Sequence, residues 1–250
     1  MNFPVLLFFP TLLILWLAAR YGAALRKRRP LGDSERDDFG VVQTATLTLL
    51  ALIIGFTFSM ATTRYDLRKN YEEAEANAIG TEYVRASLLS PADGARTQDQ
   101  LKRYTDLRIL FYRTRSDRDL QQINADTVRL QDEMWASVQA SALTQPTPIM
   151  SLVVSGMNDV LNSQGGYTRA AWWNRIPVAA WVFLMLTAIG CNILVGYGSR
   201  SPHAKGGVLF IMPLLVSMSF LLIADIDSPR GGLIHVAPQN LASLWQSLHR

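Results

Sequence analysis

FGVVQTATLTLLALIIGFTFSMATT, residues 39–63, carries no charged side chain. It is longer than the roughly 20 apolar residues that cross a bilayer core as a helix. The preceding Asp33-Ser34-Glu35-Arg36-Asp37-Asp38 supplies helix caps and acidic groups for the positive end of the helix dipole. The following stretch, RYDLRKNYEEAEANAIGTEYVRASLL at 64–89, contains no proline. There Leu67, Tyr71, Ala74, Ala78 and Thr81, then Val84 and Leu88, recur three or four residues apart, so the apolar pattern turns from continuous to one-sided. The spanning helix is expected to leave the membrane and continue for several turns, until Pro91-Ala92-Asp93-Gly94 interrupts it.

The rest of the chain divides along the same line. Of its 250 residues 49% are hydrophobic and 18% charged, against about 25% charged in an ordinary soluble domain. Residues 62–175 hold 28 of the charges, 14 of each sign. Disorder, a disulfide scaffold and a collagen-like repeat are excluded. Three more apolar runs can span: Phe3 to about Ala24, kinked by Pro10; Ile176 to about Tyr197, with Pro177 in its first turn and Trp172, Trp173 and Trp181 near the boundary; and Val208 to Ala224, bent by Pro213. The first is expected to be a retained anchor, its amino end outward, and not a cleaved signal, because its basic cluster Arg26-Lys27-Arg28-Arg29 follows the apolar run. The breakers Gly198-Ser199-Arg200-Ser201-Pro202 and Gly206-Gly207 separate the last two.

The expected fold is an all-α membrane protein: four transmembrane helices with a helical extramembrane domain inserted between the second and third. Residues 1–63 hold spans one and two with a short basic loop, 64–175 the helical domain, and 176–250 spans three and four with a short tail. In the inserted domain, Leu101, Tyr104, Leu107, Ile109, Leu110 and Phe111 mark one amphipathic helix. Leu120, Ile123, Thr127, Leu130, Met134 and Val138 mark a second, and Ile149 to Leu161 a shorter third before Gly165-Gly166. No window alternates at period two.

The net charge of +4 does not indicate nucleic acid, since the polar middle is neutral and the excess lies at membrane edges. Arg20, Arg26, Lys27, Arg28, Arg29 and Arg36 read as topology determinants and headgroup contacts. Five basic residues in the first loop, with Arg200 and Lys205 in the second, put both loops in the cytoplasm. Both termini and the helical domain then face outward from the cell inner (plasma) membrane. Arg64, Arg68, Lys69, Arg169 and Arg175 argue the other way.

No catalytic constellation is legible. His203, His235 and His249 are far apart and lack metal-ligand neighbours. No phosphate loop or nucleophile elbow occurs, and the single cysteine, Cys191, lies in an apolar run. No cofactor or metal is expected. Glu72, Glu73 and Glu75, with Glu82, read as a solvated helix face pairing with Arg68 and Lys69 in preference to a cation site. Two features are sharper. Thr44, Thr48, Ala51, Gly55, Ser59 and Thr62 fall within about 80° of one another around the second span, and such a stripe serves close helix packing or a pore wall. Asp225, Asp227 and Arg230, in the turn DIDSPRGG ending the fourth span, read as a membrane-edge ion pair or as side chains tied to backbone amides.

Ile54-Gly55-Phe56-Thr57-Phe58-Ser59-Met60-Ala61, running into Arg64-Tyr65-Asp66-Leu67-Arg68 and Glu73-Ala74-Glu75-Ala76-Asn77-Ala78-Ile79-Gly80-Thr81, resembles the bestrophin-like membrane family. So do Tyr104-Thr105-Asp106-Leu107-Arg108, Trp135, Met157-Asn158-Asp159, Arg175-Ile176-Pro177 and Asp225-Ile226-Asp227-Ser228-Pro229-Arg230-Gly231-Gly232, which together cover nearly the whole chain. The resemblance implies a prokaryotic multi-pass protein distantly related to bestrophins, which are pentameric anion channels. It implies a homo-oligomer in the lipid bilayer passing chloride or another small anion, with the second span lining the path and no enzymatic role. It also implies a cytoplasmic helical domain, opposite to the loop charges. The alternative function is a membrane-anchored sensor or scaffold whose helical domain binds a partner.

Overall fold

The computed structural model describes residues 4–29, 32–164, 172, 174–199 and 207–249. Trp173, Arg169, Gly165, Gly166, His203 and the Arg200–Gly206 breaker stretch lie outside them. Among the described residues there is no strand. The helices are α1 (Pro4–Arg28), α2 (Asp33–Arg85), α3 (Pro91–Arg113), α4 (Asp117–Thr144), α5 (Met150–Asn162), α6 (Val178–Gly198), α7 (Gly207–Asp227) and α8 (Gln239–Leu248). Four of them, α1, α2, α6 and α7, are long and apolar enough to cross a membrane. The architecture is the expected one, a helical domain inserted between the second and third spans.

The chain forms two compact units, one of Met1–Arg64 with Arg175–His235, the other of Tyr65–Asn174 with Val236–Arg250. The single helix α2 contributes to both. Its 53 residues would extend about 80 Å at 1.5 Å each, far beyond the roughly 30 Å hydrocarbon core, and the uncharged run 39–63 is the part of bilayer length.

In the membrane unit α1 packs on α6 and α7. Small residues set the approach, as they do where lipid removes any hydrophobic drive between helices. A Cβ added to Gly22 would lie 2.0 Å from the Ile193 carbonyl oxygen, and one added to Gly196 would lie 1.9 Å from that of Ala19. The two glycines therefore interlock, each against the other helix's backbone. Leu15, Leu50, Leu184, Ala188, Cys191, Val216 and Phe220 form the apolar centre.

The helical unit is built on Ile79, Leu101, Tyr104, Met134, Val138, Val153, Met157, Val160 and Leu241. Ser90 caps α3 by accepting from the Asp93 N–H at 3.3 Å, with Pro91 in the first turn; Ser116 caps α4 in the same way. Pro91 thus begins α3, while α2 ends at Arg85 and a 3-10 turn follows at Ala86–Leu88.

The buried stripe of α2 beyond the membrane differs from the expected one. It is not Leu67, Tyr71, Ala74, Ala78 and Thr81 but Arg68, Glu72, Glu75, Ile79, Glu82 and Ala86, one residue further along. Their alternating spacing of four and three is that of a helix-packing seam. Consequently Glu72, Glu75 and Glu82 are buried, not solvated, and only Glu73 of that cluster is exposed. Apolarity misplaced the stripe because this seam is lined by charged groups, of which Glu72 and Glu75 accept hydrogen bonds from other elements. The tail, expected only to be short, contains a helix, α8, whose amino end is held by Glu72. That carboxylate accepts from the Leu241 N–H at 2.9 Å and from Asn240 Nδ2 at 2.7 Å.

Candidate functional site

Three sectors run along the membrane half of α2. Leu50, Thr57 and Ala61 are buried against the rest of the unit, and Cys191 Sγ donates to the Thr46 carbonyl at 3.4 Å from α6. A second sector carries exposed bulky side chains, among them Leu49, Leu52, Phe56 and Met60, suited to lipid. The third is the small and hydroxylated stripe. Thr44, Thr48, Ala51, Gly55 and Ser59 are exposed and Thr62 is half-buried. A Cβ built on Gly55 would meet nothing within 4 Å. Among the described residues, the stripe from Thr44 to Ser59 is thus exposed, and Gly55 has no neighbour in reach of a Cβ. Over its spanning window α2 is 6% buried, against 28%, 22% and 39% for α1, α6 and α7.

The hydroxyls of this stripe are held in reserve. Thr48 Oγ1 donates to the Thr44 carbonyl at 2.9 Å and Thr62 Oγ1 to the Phe58 carbonyl at 3.0 Å. Such back-bonds leave the oxygen lone pairs pointing outward. Rotation about χ1 exchanges the helix carbonyl for another acceptor, at a net cost of about 1 kcal/mol when that acceptor replaces the lost bond incompletely. A hydroxyl of this kind offers an acceptor in one rotamer and a donor in the other.

At the end of α7 the acidic turn is tied down by backbone. Asp225, 5% exposed, accepts from the N–H groups of Leu233 and Ile234, both at 2.8 Å. Gly232 is required beside it, since a Cβ there would lie 2.6 Å from the Asp225 carbonyl oxygen. Asp227, 6% exposed, accepts from the Ile176 N–H at 3.3 Å and lies 3.7 Å from Arg64 Nη1. The turn thus draws together the end of α7, the start of α6 and the last membrane residue of α2. Arg230 sits half-buried in the same turn. The role of Arg64 was not legible, because nothing local links it to a carboxylate 163 positions away; its place at the end of an uncharged span was the available signal.

The helical unit holds a second set of charged groups. Arg108 Nε donates to Glu75 Oε1 at 2.5 Å with both side chains fully buried, and Tyr112 donates to Glu75 Oε2 at 3.3 Å. The guanidinium carbon lies 4.3 Å from the Phe111 ring centroid, a favourable cation–π position. Glu82 is buried with neither carboxylate oxygen hydrogen-bonded among the described residues. Burial pushes its carboxyl up to about 8, the nearby Arg85 opposing and Asp159 adding to the effect.

The Bestrophin-like domain model matches residues 5–241. Curated protein sequences give no significant match. Among solved structures, the chain is similar to a bacterial bestrophin homologue from Klebsiella pneumoniae, at 13% identity and a TM-score of 0.67, over 98% of this chain and 96% of that one. A point variant of a Klebsiella pneumoniae homologue aligns at 14% identity and 0.67, covering 95% and 96%. Another aligns at 15% and 0.65, covering 98% and 97%. At these identities the likeness is one of fold. The match of the domain model over almost the entire length carries the assignment: the chain belongs to the Bestrophin-like domain family.

Proposed function

We propose that the protein is a non-enzymatic homo-oligomeric channel for chloride or another small anion, with α2 helices from several copies presenting Thr44, Thr48, Ala51, Gly55, Ser59 and Thr62 to the permeating ion. The observation that carries this reading is that Thr44, Thr48, Ala51, Gly55 and Ser59 are exposed and that, among the described residues, nothing lies within 4 Å of a Cβ built on Gly55. Small side chains on a membrane helix serve close packing, and here that role is untaken inside the protomer. A ring of such faces gives rotatable hydroxyl donors for a partly dehydrated anion, with no carboxylate between Phe39 and Thr63 to repel it. Asp225 and Asp227, each engaged by backbone donors, fix the membrane-edge turn and do not line the path. The family resemblance to bestrophins supports the same conclusion.

Water access to the stripe tests it. A membrane-impermeant maleimide is expected to label Thr48→Cys or Ser59→Cys in reconstituted protein; full protection of both overturns the assignment. The side of the helical domain follows from the loop charges. Arg68 is buried and Arg64 lies beside Asp227, whereas Lys27, Arg28 and Arg29 are exposed and stay available to retain their loop in the cytoplasm. Alkaline phosphatase fused near residue 95 is then active, and an inactive fusion with a fluorescent cytoplasmic reporter at the same position reverses the orientation.

A further inference from the structure

A cavity of about 460 Å³ opens in the membrane unit among α1, α6 and α7, within the roughly 300–1,000 Å³ of small-molecule sites. Its walls are apolar and aromatic, including Phe8, Trp181, Met185, Phe220 and Leu221. Its charged lining residues, Arg175 and Asp227, stand at one end, while the hydroxyls of Thr11 and Ser217 lie further along the slot. The lining of α7 runs from Ser217 to Ser228, about 16 Å along the helix at 1.5 Å per residue, which matches one leaflet of a roughly 30 Å hydrocarbon core. Water is a poor occupant of such walls, because an internal water needs two to four polar partners. Left empty, the lining side chains would lose their dispersion contacts.

The charge at the mouth selects the head of the occupant. Asp227 is engaged by the Ile176 N–H and lies beside Arg64. Arg175 is half-buried and, among the described residues, has no hydrogen bond or ion pair. A guanidinium at headgroup depth matches a phosphate in bidentate geometry and gains further from anionic lipid. We propose that this slot holds one acyl chain of an anionic phospholipid, with the headgroup phosphate on Arg175.

Photolabelling of the full chain reconstituted in phosphatidylcholine vesicles tests the site without reference to ion current. The probe is phosphatidylglycerol carrying a diazirine in its acyl chain, present at a small mole fraction. Adducts are expected to concentrate on Met185, Phe220 and Leu221, and to disappear in Leu221→Trp, which fills the slot. Arg175→Gln, at the half-exposed mouth, should lower labelling about fivefold, the worth of one basic residue at a lipid surface. Ser217→Leu is a second filling variant that breaks no hydrogen bond, since the buried Ser217 hydroxyl has no hydrogen-bond partner among the described residues. Adducts spread evenly over the outward residues Leu186, Met218 and Leu222, unchanged by these variants, would overturn the proposal. So would labelling of the slot by diazirine palmitate but not by the phosphatidylglycerol probe, which would assign a free fatty acid.

Discussion

Replacing Glu75 by Gln should be among the most damaging single changes in the helical unit. The substitution keeps volume and removes only the charge, leaving Arg108 fully buried with no counterion. At an effective dielectric of about 20, two unit charges about 4 Å apart attract by roughly 4 kcal/mol, and removing one partner of a buried pair costs about 3–5 kcal/mol because the other charge stays desolvated. Tyr112 loses its carboxylate acceptor as well. For a chain of this size each 1 kcal/mol shifts the midpoint by about 2–4 °C, so a fall of roughly 6–20 °C is expected. The assay is thermal unfolding of the detergent-solubilised protein followed by the fluorescence of buried Trp172, with a Glu75→Leu, Arg108→Met double variant as the decisive control. Replacing both charges should restore most of the loss, since a buried pair and a packed apolar pair are often close in free energy. A Glu75→Gln midpoint within about 2 °C of the parent, less than 1 kcal/mol on that same scale, would refute the claim that this pair is dry and coupled.

Gly196→Ala places a methyl group 1.9 Å from the Ala19 carbonyl oxygen and should cost about 1–3 kcal/mol by overpacking. Gly190→Ala, whose added Cβ meets nothing within 4 Å, should be neutral or slightly stabilising; equal midpoints for the two would contradict the interlocked helix crossing. Glu82 keeps its proton up to about pH 8 in the folded state against 4.5 when unfolded, so its contribution to stability is greatest at low pH, falls as pH rises between those values and levels above them. Glu82→Gln should flatten that decline in denaturant titrations across the window, and an unchanged slope would show that the carboxylate is solvated. Trp245→Phe, which removes the Nε1 donor to Asp106 that holds α8, should raise proteolytic release of the tail several-fold, as expected for the loss of about 1 kcal/mol at a locally opening helix.

The spans were legible because an uncharged run of bilayer length fits few places but a bilayer. The helices of the inserted domain were legible where their cores are apolar: Leu101, Tyr104, Leu130, Met134 and Val138 are all buried at the positions their periodicity gave. Hydropathy failed where the core is polar. Arg68, Glu72, Glu75 and Glu82 follow a packing seam, yet their polarity assigns such residues to solvent, and the partners Arg108, Asn240 and Leu241 come from elsewhere in the chain. Helix α8 was missed for want of length, although Pro238 followed by Leu241, Leu244, Trp245 and Leu248 at helical spacing was present in the tail. The stripe on α2 could be located from sequence alone, but its freedom from packing needed the structure, since a small-residue face looks the same whether or not a neighbour covers it.

Current through a planar lipid bilayer containing the purified protein decides whether the α2 stripe carries ions. A chloride conductance is expected that Gly55→Leu or Thr48→Trp abolishes, while Leu186→Trp, on an outward face of α6, leaves it intact. Electrical silence from monodisperse, folded protein, or a conductance indifferent to both stripe substitutions, would contradict the channel and turn the assignment toward a membrane-anchored scaffold.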